Sequence, residues 1–119
     1  MRQLFAVCAL AAVMFAAKPV DDAKALIKQK KFEEAVTLLD PAYKAKPTDA
    51  AVKSTLVEAL MGNADTYMYD EKLPPFRKYP TALRLYRRVV EIDKTNQKAK
   101  DNVAMIEGIY KSMGRPVPQ

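Results

Sequence analysis

The 119-residue chain contains no histidine, no tryptophan and a single cysteine, Cys8. Without histidine, the usual proton-transfer group near neutral pH is missing. With its one thiol near the N-terminus, the rest of the chain can form no disulfide, no Cys/His zinc site and no cysteine nucleophile. The three glycines, Gly62, Gly108 and Gly114, stand apart from one another, so no glycine-rich phosphate loop is present. Ser54 and Ser112 have no partners for a triad. Acidic neighbours occur at Asp21–Asp22, Glu33–Glu34 and Asp70–Glu71. Consecutive residues on a helix do not share a face, so the first two pairs read as helix-start charges rather than as a carboxylate dyad. These absences together predict a protein with no catalytic residues, no metal ligands and no cofactor.

What is present is ordinary for one small globular domain: half of the residues are hydrophobic and 29% are charged. The formal net charge is +6, a mild basic excess and a weak pointer to an anionic partner. Arg2 is followed by an uncharged run from Leu4 to Ala17. Its 14 residues fall short of the about 20 needed to span a bilayer, and they suit the apolar core of a secretory signal peptide. Residues 1–17 are therefore expected to be a signal segment, and the protein to act in the periplasm or as a secreted protein. Phe15 and Met14 depart from an Ala-x-Ala cleavage pattern. The apolar run continues past Cys8, which argues against lipid attachment there.

The rest reads as helices, about five of them, and the expected fold class is all-α. Asp21 and Asp22 open a helix over Val20–Lys30, with Ala23, Leu26 and Ile27 on its apolar face. Lys31–Lys46 forms the second, interrupted by Pro41, which predicts a kink near Leu38–Pro41 with Asp40 recapping the second half. Lys46-Pro47-Thr48-Asp49 is a turn, with Thr48 or Asp49 as cap. Ala50–Tyr69 forms the third helix, on a stripe of Val52, Leu56, Ala59, Leu60, Ala64 and Tyr67. Asp70–Lys78 is expected to be a long loop, stiffened by Pro74–Pro75. With its flanks, Tyr67–Tyr79, it is a second candidate surface, although its aromatics Tyr67, Tyr69, Phe76 and Tyr79 read more simply as pinning it to the third and fourth helices. Pro80 then suits the first turn of a fourth helix over Tyr79–Asp93, striped by Ala82, Leu85, Tyr86, Val89 and Ile92. A fifth starts at Thr95 or Asn96 and runs through Ala99, Val103, Ile106 and Tyr110 to a stop at Gly114. Residues 115–119 make a short tail.

Two of these stretches are copies. An offset of 47 residues carries Phe32, Ala35, Leu39, Ala42 and Pro47 onto Tyr79, Ala82, Tyr86, Val89 and Lys94. Such repetition decides architecture before any single residue does. The segments KKFEEAVTLLDPAYKAKPTDA and KYPTALRLYRRVVEIDKTNQKA share a plan: an aromatic, a small residue three later, a bulky one four after that, then Ala or Val. That plan resembles the tetratricopeptide repeat, an antiparallel helix–turn–helix unit that stacks into an α-solenoid. The resemblance covers roughly residues 20–114, within an expected domain of 18–114. The period of 47 exceeds the family's 34, the excess lying in the third helix and the loop.

The resemblance implies a module that binds a protein or peptide on a concave surface lined by the first helix of each pair. Residue by residue, it suggests Lys24 and Lys28, then Ser54, Glu58 and Met61, then Lys98, Asp101 and Met105. The asparagines of the family's carboxylate-gripping subclass are missing from the matching turns, so that clamp is not expected. An alternative is self-association into a homodimer, with Met105, Ile109 and Met113 as its seam on the last helix. A third reading is a basic surface for anionic membrane or nucleic acid, carried by Arg84, Arg87 and Arg88 with Arg77, Lys78 and Lys94. Those cations read more simply as a solvated helix face, and nucleic acid is an unlikely partner for an exported protein.

Overall fold

The computed structural model describes residues 18–119; the expected signal segment, residues 1–17, lies outside the described residues. Among the described residues every regular element is a helix, so the chain is all-α. In order they are α1 (18–28), α2 (Phe32–Ala45), α3 (Ala50–Met68), α4 (Pro75–Ile92) and α5 (Gln97–Ser112). None is long and apolar enough to cross a membrane. By its internal contacts the chain divides into a first unit ending at Ala59 and a second running from Leu60 to Gln119, with α3 continuous through the division.

In the first unit, α1 ends sooner than its lysines suggest. Lys30 takes a left-handed backbone, with φ of 60°. The Lys31 N–H then reaches back to the Leu26 carbonyl and the Lys30 N–H to that of Ile27, both at 2.9 Å. This Schellman arrangement satisfies carbonyls that the helix end would leave open. The second helix begins at Phe32 and passes through Pro41 without a break. Proline there removes one backbone bond but does not split the helix in two, so Asp40 is not required to cap a second half. At the following turn, Asp49 is the cap: its Oδ1 accepts from the backbone N–H groups of Ala51 and Val52, each at 3.1 Å. Ala23, Ala35, Leu39, Val52, Leu56 and Ala59 are buried in this unit, as their helical spacing predicts.

The second unit contains the larger difference from the sequence reading. The expected loop, 70–78, ends at Pro74, and the fourth helix starts four residues earlier than predicted, at Pro75. Pro74 is extended (φ −69°, ψ 156°) and caps the helix, and Pro75 takes the first helical position. A proline there forfeits only a donor that has no helical acceptor anyway. Pro80 thus stands inside the helix rather than at its start. The carbonyl it leaves without a helical donor belongs to Phe76, an exposed position where water can serve instead. The expected pinning of the loop by aromatics also fails for two of them: Tyr69 is 63% and Phe76 70% exposed.

Ala82, Leu83, Leu85, Tyr86, Val89 and Ile92 of α4 are buried, as are Ala99, Asn102, Ile106 and Tyr110 of α5. The two helices pack on each other. From the end of α3 come Leu60, Ala64 and Met68, also buried. Burying a side chain of the size of Leu or Ile contributes about 1.5–3 kcal/mol, so this stripe outweighs any single surface interaction in the unit.

The offset of 47 reappears in the backbone. The Lys46 N–H reaches the Ala42 carbonyl at 3.1 Å, and the Asp93 N–H reaches that of Val89 at 2.7 Å. Asp49 bonds back to Lys46, and Asn96 back to Asp93. As Asp49 caps α3, so Asn96 caps α5, its Oδ1 accepting from the Ala99 N–H at 3.0 Å. Burial follows the same register: Ala35 and Ala82, Leu39 and Tyr86, Val52 and Ala99, Thr55 and Asn102, Ala59 and Ile106 are all buried.

Candidate functional site

The residues expected to meet a partner can be placed unit by unit. In the first unit, Lys24 and Lys28 are exposed one turn apart on α1, and Ser54 and Glu58 are exposed one turn apart on α3. The Ser54 hydroxyl is spent on the Ala51 carbonyl at 3.3 Å. In the second unit, Met61 is half-buried, while Lys98, Asp101 and Met105 are exposed at spacings that put them on one face of α5. Asp101 accepts from the Gln97 side-chain amide at 2.8 Å.

Lys98 belongs to a cluster that the periodicity of the sequence does not reveal. Its Nζ lies 3.6 Å from Asp65 Oδ2, and the other oxygen of Asp65 accepts a short hydrogen bond from the Tyr86 hydroxyl. Tyr86 is fully buried. Burial first, and then the Asp65 carboxylate, push its hydroxyl well above the ordinary tyrosine range. The arrangement is a tether. It satisfies the one polar atom of a core tyrosine and turns Asp65 towards α4 and α5. It offers no nucleophile, because the phenol holds its proton throughout the physiological range.

The arginine face of α4 is less uniform than a solvated surface. Arg84 is exposed. Arg87 donates from Nη1 to the Pro118 carbonyl at 2.6 Å and stands 4.0 Å from Glu107. It therefore ties the tail to α4, a role that only the folded chain makes visible. Arg88 also has interactions of its own.

Among the described residues, one buried side-chain polar atom has no partner. Asn102 is 5% exposed, and its side-chain Nδ2 donates to nothing. At the corresponding position in the first unit, Thr55 supplies its own solution: its hydroxyl donates to the Ala51 carbonyl one turn back, at 2.7 Å.

A concavity in the second unit has a volume of about 490 Å³. Pro75, Phe76 and Pro80 of α4 line it, with Tyr110, Met113 and Arg115 from the end of α5 and beyond. Burial raises the Tyr110 hydroxyl above its ordinary range, and the Arg115 guanidinium partly offsets this. Of the expected seam residues, Met113 lines this hollow and is 42% exposed, Met105 is 50% exposed and Ile109 is half-buried. Phe76 belongs to the 67–79 stretch that the sequence offers as a second candidate surface, whereas no signal marks Arg115, which follows the last helix in the tail. The chain matches no protein-family model, no characterised protein and no solved structure.

Proposed function

We propose that this protein is a non-enzymatic protein–protein interaction module, a tetratricopeptide-like helical scaffold working outside the cytoplasm. The observation that carries the reading is the 47-residue offset: the same turn, the same cap and the same buried positions recur in two helix–turn–helix segments. Repetition of one packing unit serves a scaffold that displays surface, and is not a way to build a single reaction centre. The polar groups support the same view. The strongest side-chain cluster, Tyr86–Asp65–Lys98, is used internally. The candidate partner residues on α1, α3 and α5 are mixed lysine, acid and methionine, which suits a segment carrying both charged and apolar groups. The export part of the proposal rests on the apolar run Leu4–Ala17.

The test is crosslinking in the cell envelope, with identification of what the protein holds. A partner captured by the wild type should be lost with Lys28→Glu/Met61→Asp while the circular dichroism spectrum is unchanged. Retention of the partner by that variant would overturn the assignment of these residues. Export is checked separately, by fractionation and by the mass of the mature chain.

A further inference from the structure

The hollow beside Tyr110 is chemically lopsided. Five of its six lining residues are apolar or aromatic, and the sixth is Arg115. Its volume of about 490 Å³ lies in the range of sites that accept bulky groups. Phe76 is 70% exposed and Met113 42%, so two of its walls present large apolar surface to water. Singly exposed apolar residues are commonplace, but here two line the same concavity.

The charged residue lining the hollow is a cation, and bases predominate around it. From Pro75 to Arg88, α4 carries Arg77, Lys78, Arg84, Arg87 and Arg88 and no acid. Its first turn lacks the carboxylates that the positive end of a helix would favour. The end of α5 adds Lys111, followed by Arg115. The nearest acid on α5, Glu107, stands beside Arg87. Across the preceding loop are Asp70, Glu71 and Lys72, and Asp70 is turned onto the Lys72 N–H at 2.9 Å. Among the described residues, no carboxylate lines the hollow.

We infer that this hollow is a docking site for a peptide segment of another protein, in which one or two bulky apolar side chains are flanked by carboxylates. The apolar groups lie against Phe76, Pro80 and Met113, and a carboxylate meets Arg115. Charge complementarity selects this occupant. A second copy joined by a symmetric contact would set the same cations against each other. A bilayer takes up protruding side chains, whereas a hollow is filled by side chains inserted into it. The surrounding cations steer an acidic segment to the site and raise its rate of association.

The full chain is used to select from a random 12-residue peptide library displayed on phage. Selected peptides should combine Leu, Ile, Phe or Met with Asp or Glu. A synthetic peptide of the selected sequence should bind Phe76→Ala and Arg115→Glu at least about tenfold more weakly, a loss of about 1.4 kcal/mol, and should weaken as salt rises. Both residues are exposed, so the variants keep the fold, and circular dichroism checks this. Failure to select any peptide, selection of peptides without acids, or equal binding by Phe76→Ala would overturn the inference. So would a peptide lost with Lys28→Glu/Met61→Asp but not with Phe76→Ala, an outcome that leaves the proposed module function standing. Binding to phosphatidylglycerol vesicles that Phe76→Ala abolishes would replace the peptide with a membrane. A dimer in light scattering that Phe76→Ala dissociates would replace it with a second copy.

Discussion

Two residues do the same backbone task with different fitness. Lys30 and Gly114 both end a helix in the left-handed region, with φ of 60° and 66°. Gly114 repeats the bonding of Lys30: its own N–H reaches the Lys111 carbonyl, and the Arg115 N–H reaches that of Tyr110. Glycine adopts this conformation without strain, whereas a lysine there costs about 1–2 kcal/mol. Lys30→Gly should therefore raise stability by about 1 kcal/mol, read as a higher urea midpoint with an unchanged slope. Gly114→Ala should lower it. Asn102 offers a second gain. Threonine at this position could bond the Lys98 carbonyl as Thr55 bonds that of Ala51, removing a buried unpaired amide. Asn102→Thr is expected to stabilise by about 1 kcal/mol in the same assay. Tyr86 sets a pH dependence. An unfolded tyrosine ionises near 10, and the folded one well above that. Its contribution is thus complete below pH 10 and drains away as pH rises beyond it, by about 1.4 kcal/mol per pH unit. Stability should fall between about pH 10 and 11. Tyr86→Phe should make that fall shallower, and Tyr110, also raised, accounts for part of what is left.

At the scale of elements, the caps and prolines decide where helices begin. Asp49 and Asn96 stand at equivalent places and each accepts from the first turn of the helix that follows. Asp49→Ala and Asn96→Ala should each cost about 1 kcal/mol, and similar amounts, by thermal or urea unfolding. The start of α5 was legible to within one residue, because Thr95 and Asn96 are both capping side chains followed by a periodic stripe; the bond to the Ala99 N–H selects Asn96. The start of α4 was not. Pro75 and Pro80 are both chemically suited to a first turn, and the sequence offers no local reason to prefer the earlier one. Packing decides it: the extra turn from Pro75 sets Phe76 and Pro80 beside Tyr110 and Met113. The stripes themselves were legible almost throughout. Ala82, Leu85, Tyr86, Val89 and Ile92 are buried as their spacing requires. The departures are Met68 in place of Tyr67, Asn102 in place of Val103, Thr55 and Leu83 buried outside the expected stripes, and Leu26 and Ile27 only half-buried.

For the whole molecule, charge and repetition carry the functional argument. With 20 basic and 14 acidic residues the chain favours acidic partners over copies of itself. It should stay monomeric at high concentration in light scattering. A dimer that weakens on Met105→Lys or Ile109→Lys would instead establish the last helix as a seam. The partner residues proposed on α1, α3 and α5 were chosen by resemblance, and the structure describes most of them as exposed without ranking them. The hollow of Phe76 and Arg115 was illegible for a different reason. Its lining comes from two groups of residues 30 or more positions apart, one near the start of α4 and one at the end of α5 and beyond, and neither carries a motif.

The amino-acid sequence by itself determined the all-α class, the periodic core stripes, the start of the last helix to within Thr95 or Asn96, the stop at Gly114 and the 47-residue offset. Each of these follows from local backbone chemistry or from spacing along one helix, which a linear string records in full. Tertiary structure alone decided the partner of the Tyr86 hydroxyl, the isolation of the Asn102 amide, the capture of Pro118 by Arg87 and the hollow beside Tyr110. These depend on groups distant in sequence meeting across packed helices. Spacing says which face of a helix is apolar, but only packing says which atoms that face will touch.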